Sequence, residues 1–360
     1  MINLFFICIV SFLVSFLVNF WIVKTKPWIA IDEVKGVQKF HSGLIPRLGG
    51  FGIFIAFTIS ALYLFFITSN KAYLFLILAS LPVFIGGLLE DITKKVSPKK
   101  RLFLALISGF LLVYLFGIYI NKVDLPLLDN ILEFTPFAIL FTAFAIAGIS
   151  NAYNIIDGFN GLASTVAMIA FISFAYMGFI KGDTFLLSLS LIMFFSILGF
   201  FILNYPFGKI FLGDGGAYFI GFVIGFLSIY LVFKYKDISP WYPLVISIYP
   251  VFETVFSMYR RKLLRKDNPL EPDDLHLHTL IYKKLIKKLN LKNNNLKNSL
   301  VMPLLIIPYL PFIIIANIFW NKTFILILIS IIYMLLYLFV YRNINRNRNI
   351  IKFNLNLKQS

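Results

Sequence analysis

Acids and imidazoles are scarce in this 360-residue chain, which has 16 Asp and Glu and 3 His. Short stretches collect most of its site-forming groups beside amides and basic residues. "KFHSGLIPRLGG" holds Lys39, His41 and Arg47, and "GGLLEDITKKVSPKKR" holds Glu90, Asp91 and Arg101. "SNAYNIIDGFNGLA" brings Asn151, Asn154, Asp157 and Asn160, and "LNYPFGKIFLGDGGAY" brings Asn204, Lys209 and Asp214. A last region supplies Arg260 and Arg261, then "PDDLHLHTL" with His276 and His278.

Asp157 and Asp214 demand the most explanation. Neither has a basic neighbour within four residues, and both abut apolar runs. An ionised acid in a membrane helix costs about 2.5–3.5 kcal/mol at the bilayer centre and less near the interface, so a cation has to offset it. A hard divalent ion held by one or two carboxylates plus substrate phosphates suits Asp214, Mg²⁺ above all. The glycines beside Asp214 let backbone or ligand come close. Asn151, Asn154 and Asp157, three apart, share one arc of a helix. That polar stripe suits a site better than lipid, which offers it no partners. Gly158 and Gly161 then turn the chain. Glu90 also has a structural reading, as a carboxylate at a helix end. His276 and His278 would point roughly 200° apart on a helix, so only one can serve a given ligand unless the segment is extended. No further soft ligands are spaced to complete a zinc site. His41 reads equally as a hydrogen-bonding or a catalytic residue. Acids for a metal, amides for a base or sugar and cations for phosphate suit phosphoryl transfer, in which positioning and charge neutralisation supply most of the catalysis.

The elements that must position these groups are membrane helices. The chain is 60% apolar with a mean hydropathy of +0.88, above the roughly 45–50% apolar content of soluble domains. A span takes about 20 apolar residues. Eleven stretches qualify: 3–23, 48–68, 72–89, 103–120, 134–150, 162–180, 184–203, 216–233, 241–258, 300–318 and 323–341. Their apolar runs are continuous, unlike the alternating strands of barrels. The expected fold is all-α, a polytopic membrane bundle of about 11 transmembrane helices. The first run lacks a positive n-region and a small-residue cleavage site, so it reads as a retained helix. Cys8 is alone and cannot form an internal disulfide.

All but six of the 33 Lys and Arg lie in odd-numbered loops or the tail, the exceptions being Lys71, Lys122, Lys181, Lys234, Lys236 and Lys322. The positive-inside rule places those loops and the C-terminus in the cytoplasm, with the N-terminus outside. The chemical stretches fall in odd loops, 24–47, 90–102, 151–161, 204–215 and 259–299, and even loops hold nothing comparable. Residues 1–341 read as one transmembrane catalytic domain and 342–360 as a basic cytoplasmic tail. The net charge of +17 suits anionic headgroups and substrates; no basic folded face suggests nucleic acid. Leu277, Leu280, Ile281, Leu285 and Ile286 predict an amphipathic helix capped by Asp273 or Asp274 and lying along the membrane surface. "NLKNNNLKNS" and the tail read as solvated connectors without chemistry.

Taken in order, "KFHSGLIPRLGG", "EDITKKVSPKKR", "NAYNIIDGFNGLA", "NYPFGKIFLGDGG" and "ETVFSMYRRKLL…PDDLHLHTL" resemble the loops of the polyprenyl-phosphate N-acetylhexosamine-1-phosphate transferases, over about residues 35–282. That resemblance implies attack by undecaprenyl phosphate on the β-phosphorus of a UDP-N-acetylhexosamine at the cytoplasmic face of a bacterial inner membrane, with release of UMP. It implies Mg²⁺, with Mn²⁺ as an alternative, on Asp214, with Asp91 and Asp157 completing the acidic cluster. Asp91 would also lie near the lipid phosphate as candidate base, with Glu90 beside it. Asn204 and Phe211 would hold uracil, flanked by Gly158 and Asn160. A histidine of "HLH" and the Arg260–Arg261 pair would face the sugar nucleotide. Lys39, His41, Arg47, Asn151, Asn154 and Lys209 complete the candidate substrate-binding set. A homodimer is left open.

The chain departs from the family pattern in three places. It has Glu90–Asp91 for two adjacent aspartates, "DGFNG" for "DGLDG", and "HLHT" for the histidine triplet of peptidoglycan-type members. The last two favour the O-antigen or capsule branch over a phospho-MurNAc-pentapeptide transferase. Glu253, inside a span, is a functional candidate whose alternative is pairing with a nearby arginine. A transporter or flippase would instead gather polar groups at mid-membrane.

Overall fold

The computed structural model describes residues 4–26, 30–32, 44–265, 273–291 and 293–356. Helix α1 (Leu4–Thr25) leads to a two-residue antiparallel ladder, β1 (Ile31–Asp32) on β2 (Ile45–Pro46). There follow α2 (Gly49–Thr68), α3 (Ala72–Thr93), α4 (Pro98–Phe116), the short α5 (Pro126–Leu132), α6 (Thr135–Ile155), α7 (Leu162–Ile180), α8 (Thr184–Asn204) and α9 (Gly213–Lys234). Next come α10 (Trp241–Ile246) and α11 (Ile248–Tyr259), which runs into a π-helical turn at Arg260–Arg265. Beyond them lie α12 (Leu277–Ile281), a second π turn (Tyr282–Ile286), α13 (Asn294–Ser299), α14 (Val301–Ile318) and α15 (Thr323–Asn356). The protein is an all-α, multi-pass membrane bundle.

Among the described residues, nine helices are long and apolar enough to cross a membrane. The two other expected spans are helical but differ in kind. Helix α4 opens on "PKKR", which shortens its apolar part. The 241–258 stretch breaks at Ser247 into α10 and α11. Pro250 has no N–H to return to Ile246, and the Tyr309 hydroxyl of α14 donates to that carbonyl instead.

Helix α9 is the hub. Phe219, Phe222 and Phe226 are fully buried along it, and α2, α3 and α6 pack around it. Lipid tails are as apolar as side chains, so close van der Waals packing through small residues has to hold such helices together. A Cβ on Gly50 of α2 would sit 2.1 Å from Gly216 Cα, and one on Gly87 of α3 would sit 2.5 Å from Gly215 N. The glycines near Asp214 therefore serve helix–helix approach, where the sequence alone left room for a ligand.

Candidate active site

The site is built where α9 begins. Residues 46–50, from the end of β2 to the start of α2, are laced onto the chain before α9: Phe211 N–H donates to Pro46 O (2.9 Å), Gly49 N–H to Phe211 O (2.9 Å) and Gly50 N–H to Leu212 O (2.8 Å). Arg47 N–H donates to Ala30 O at 2.9 Å, so the ladder fixes the other side. This lacing carries Arg47 to Asp214, 167 residues away. Gly213 has φ +77°, and a Cβ there would lie 2.3 Å from Arg47 O, so only glycine fits both the turn and the approach.

Asp214, 7% exposed, stands in the first turn of α9. Its Oδ1 meets Arg47 Nη2 at 3.1 Å, and its Oδ2 pairs with Arg101 of α4. The offsetting cations present are thus two guanidiniums. Arg101 also lies over the Tyr218 ring at 5.7 Å, and the Tyr218 hydroxyl donates to Asn151 Oδ1 at 2.8 Å. The sequence placed Arg101 in a motif but not among the site residues; five basic residues in eight positions, 94–101, hid which one turns inward.

Asp91, 2% exposed, ends α3 and accepts from Asp214 N–H on Oδ1 and Gly215 N–H on Oδ2, both at 2.9 Å. These are donors that the helix start leaves without intrahelical partners. Asp91 thereby fixes the turn that bears Asp214, and Arg47 Nη2 is 3.6 Å from its Oδ1. Asp157, half-buried, follows α6; burial pushes its carboxyl up to about 7 although Arg47 opposes the shift. Among the described residues no three His, Cys, Asp or Glu groups come together as a metal centre. Asp91 is turned to α9, while Arg47 faces Asp91 and Asp214 and acts on Asp157 as well. One carboxylate completed by substrate phosphates still suits a hard divalent ion, and Asp214 fits that role. Glu90, one residue from Asp91 and so about 100° around the helix, accepts from Val96 N–H at 2.7 Å and pins the α3–α4 turn.

The remaining candidates divide by what holds them. Lys39 and His41 lie outside the described residues. Asn154 is half-buried, Lys209 is exposed beside the Phe207 ring, and Phe211 is half-buried. Asn204 spends both amide atoms on the loops, accepting from Gly161 N–H (2.7 Å) and donating to Ile210 O (2.8 Å). Asn160, 2% exposed, donates its N–H to Asn298 Oδ1 at 2.7 Å.

The histidine geometry differs from the helical expectation. His276 is extended (φ −59°, ψ 148°) just before α12, and its ring stacks on that of His278 with centroids 5.1 Å apart and an 11° tilt. Helix α11 carries a partner for each ring one turn apart. Glu253 Oε1 takes His276 Nδ1 at 2.9 Å, and Tyr249 hydroxyl meets His278 Nδ1 at 3.2 Å. His278 Nε2 faces Gly158, whose Cβ position would lie 3.3 Å away. Burial drives the His278 imidazole down to about 3, against the pull of Glu253, so it is neutral.

Glu253 is fully buried and pairs with a histidine, not an arginine; its Oε2 also accepts from the Tyr337 hydroxyl at 2.8 Å. Tyr337 and Tyr341 recur one turn apart on α15, a polar-tipped stripe whose four-residue spacing is the sequence signal for it. Arg260 is held by Asp273, Leu275 O (2.9 Å) and the Tyr341 hydroxyl (3.0 Å), and Arg261 is buried. Asp273 therefore serves Arg260 and accepts from Leu275 N–H rather than capping α12. Leu277, Leu280, Ile281 and Ile286 are buried inside the protein while Leu285 is exposed, so the amphipathic segment docks on the bundle instead of lying on lipid. The opposite helix ends also hold a polar network: Asp183 caps α8 through Leu186 N–H (3.0 Å) and binds Lys234 (2.8 Å), Tyr230 and Tyr235.

The fold and site together define a multi-pass helical membrane protein with an arginine-paired carboxylate at one end of the bundle. Residues 73–232 match the profile of glycosyl transferase family 4. The chain is 32% identical over 277 residues to the probable undecaprenyl-phosphate N-acetylglucosaminyl 1-phosphate transferase of Bacillus subtilis (strain 168), covering 75% of this chain and 76% of that one. It is 30% identical over 280 residues to the undecaprenyl-phosphate alpha-N-acetylglucosaminyl 1-phosphate transferase of Escherichia coli (strain K12), covering 76% and 74%. It is 29% identical over 243 residues to the phospho-N-acetylmuramoyl-pentapeptide-transferase of Streptococcus thermophilus, covering 63% and 68%. The chain belongs to glycosyl transferase family 4.

Proposed function

We propose that the protein transfers N-acetylglucosamine 1-phosphate from UDP-N-acetylglucosamine to undecaprenyl phosphate, giving a lipid pyrophosphate sugar and UMP. It is a phosphotransferase. The observation that carries this reading is the meeting of Arg47 and Arg101 on Asp214 at the start of α9. Guanidiniums bind phosphate bidentately and keep their charge, so an incoming pyrophosphate can take them from Asp214. That exchange frees the Asp214 carboxylate for a divalent cation, Mg²⁺ or Mn²⁺, which would neutralise charge on the pyrophosphate. A lipid-phosphate oxygen then bonds to the β-phosphorus, the bond from that phosphorus to the bridging oxygen breaks, and UMP leaves. In this reading Asp91 positions Asp214 through its two helix N–H groups. Asp157 borders the same charge, and neutral His278 offers a hydrogen bond rather than a charge. A soluble donor and a bilayer-held acceptor meet at helix ends, on the cytoplasmic face of a bacterial inner membrane.

The test is UMP release by purified protein in detergent with undecaprenyl phosphate and a divalent cation, across a panel of UDP-sugars. Release should need both lipid and cation and be fastest with UDP-N-acetylglucosamine. Asp214→Asn should lower it by about a hundredfold or more while the variant elutes and melts like the parent. Preference for the pentapeptide-bearing nucleotide would replace this reading by the peptidoglycan one.

A further inference from the structure

The Asn/Lys-rich end of loop 9 is not a bare connector. Asn293 caps α13 by accepting from Asn295 N–H at 2.9 Å, and the helix lies across the loops at 157–161 and 204–212. Asn295 Nδ2 donates to Phe207 O at 3.1 Å, and the Ser299 hydroxyl donates to Pro206 O. On the other loop, Asn298 Oδ1 accepts from Asn160 N–H at 2.7 Å, and Asn160 Nδ2 lies 3.3 Å from Ser299 Oγ. Asn160, Asn298 and Ser299 are 2%, 3% and 2% exposed.

The direction of that last bond follows from counting hydrogens. A serine hydroxyl has one, and the contacts of Ser299 with Pro206 O and Asn295 O use it. With the hydrogen on either carbonyl, the oxygen accepts from Asn160 Nδ2, a bond that an aspartate carboxylate could not donate. The "DGFNG" departure at Asn160 thus has a matching local partner. Beneath this contact Asn204 ties Gly161 N–H and Ile210 O, joining the same two loops. Helix α13 runs into α14 through Leu300, whose backbone is helical (φ −69°, ψ −15°), so α14 brings it to the loops and these contacts fix it there.

We propose that Asn295, Asn298 and Ser299 form a clasp that keeps the two loops in register, making Asn298 and Ser299 positioning residues for the sugar-nucleotide half of the site. The proposal rests on the function given above, since the 204–212 loop bears Phe211, the half-buried ring suited to a base. Asn298→Ala should raise the KM for UDP-N-acetylglucosamine by about tenfold or more, with kcat and the KM for undecaprenyl phosphate within about twofold. Asn298→Asp keeps an acceptor oxygen and should stay within about threefold of the parent. Hydrogen exchange over 157–161 and 204–212 should quicken in Asn298→Ala and not elsewhere. Equal rises in both KM values, or unchanged exchange, would overturn the clasp. If Asn298→Ala does not fold, Ser299→Ala, which removes one hydroxyl, carries the same tests. If the parent releases no UMP from any donor, the function falls, and the exchange measurement alone decides the clasp.

Discussion

At the scale of single residues, the site is a set of charges held by neighbours that spacing could not foretell. His278 illustrates the energetic consequence. Its folded pKa of about 3 lies below the ordinary 6.5, so below pH 6.5 the unfolded chain binds the proton that the folded chain refuses. Stability should therefore fall as pH drops from 7 to 5. Asp157, raised to about 7, acts with the opposite sign, so the comparison is between the parent and His278→Gln. The variant should lose on the order of 1–2 kcal/mol less over that range, read as a smaller drop in Tm. Glu253 acts by accepting hydrogen bonds from His276, Leu277 N–H and Tyr337. Glutamine can still accept, so Glu253→Gln should keep most activity. Glu253→Ala, which strands three donors, should lose on the order of tenfold to hundredfold in kcat. Equal losses in the two variants would mean that the charge itself is what matters.

At the scale of elements, the start of α9 is held against α2 and α3 by glycine contacts. Gly50→Ala would force a methyl group to within 2.1 Å of Gly216 Cα, and backbone cannot swing aside as a side chain can. The expected cost is about 1–3 kcal/mol, seen as a lower Tm in detergent, with activity lost as Asp214 moves. Gly148→Ala in α6 meets nothing within 4 Å. That control should match or exceed the parent, by up to about 1 kcal/mol, because alanine is the better helix former. Failure to separate the two would remove the close-approach explanation of these glycines.

At the scale of the whole molecule, charge asymmetry sets the expected orientation and the bundle sets the site at one end of it. Cys8 is buried and free, which makes thiol labelling simple. In a Cys8→Ser background, Asn70→Cys should react with a membrane-impermeant maleimide added to intact cells. Lys95→Cys should react only after permeabilisation. Both positions are exposed on the protein, so the reversed pattern would invert the topology and with it the cytoplasmic site.

Much of this is legible in the amino-acid sequence. Continuous apolar runs announce membrane helices because lipid leaves a backbone no other partner. Rare acids such as Asp157 and Asp214 stand out in an oily chain because burying charge is costly. The order of the loop motifs carries the family. Spacing could not say which cation meets Asp214, since Arg47 and Arg101 arrive from elements that only the packing of α2, α3, α4 and α9 brings together. Nor could it give Asp91 its place beneath α9, turn two histidines into a stack, or dock an asparagine-rich segment on two loops. Those outcomes depend on long-range backbone contacts, in which each partner's identity is set by distance in space and not along the chain. Sequence by itself determined the fold class and the reaction's family; tertiary structure decided which side chains hold the site and which are held by it.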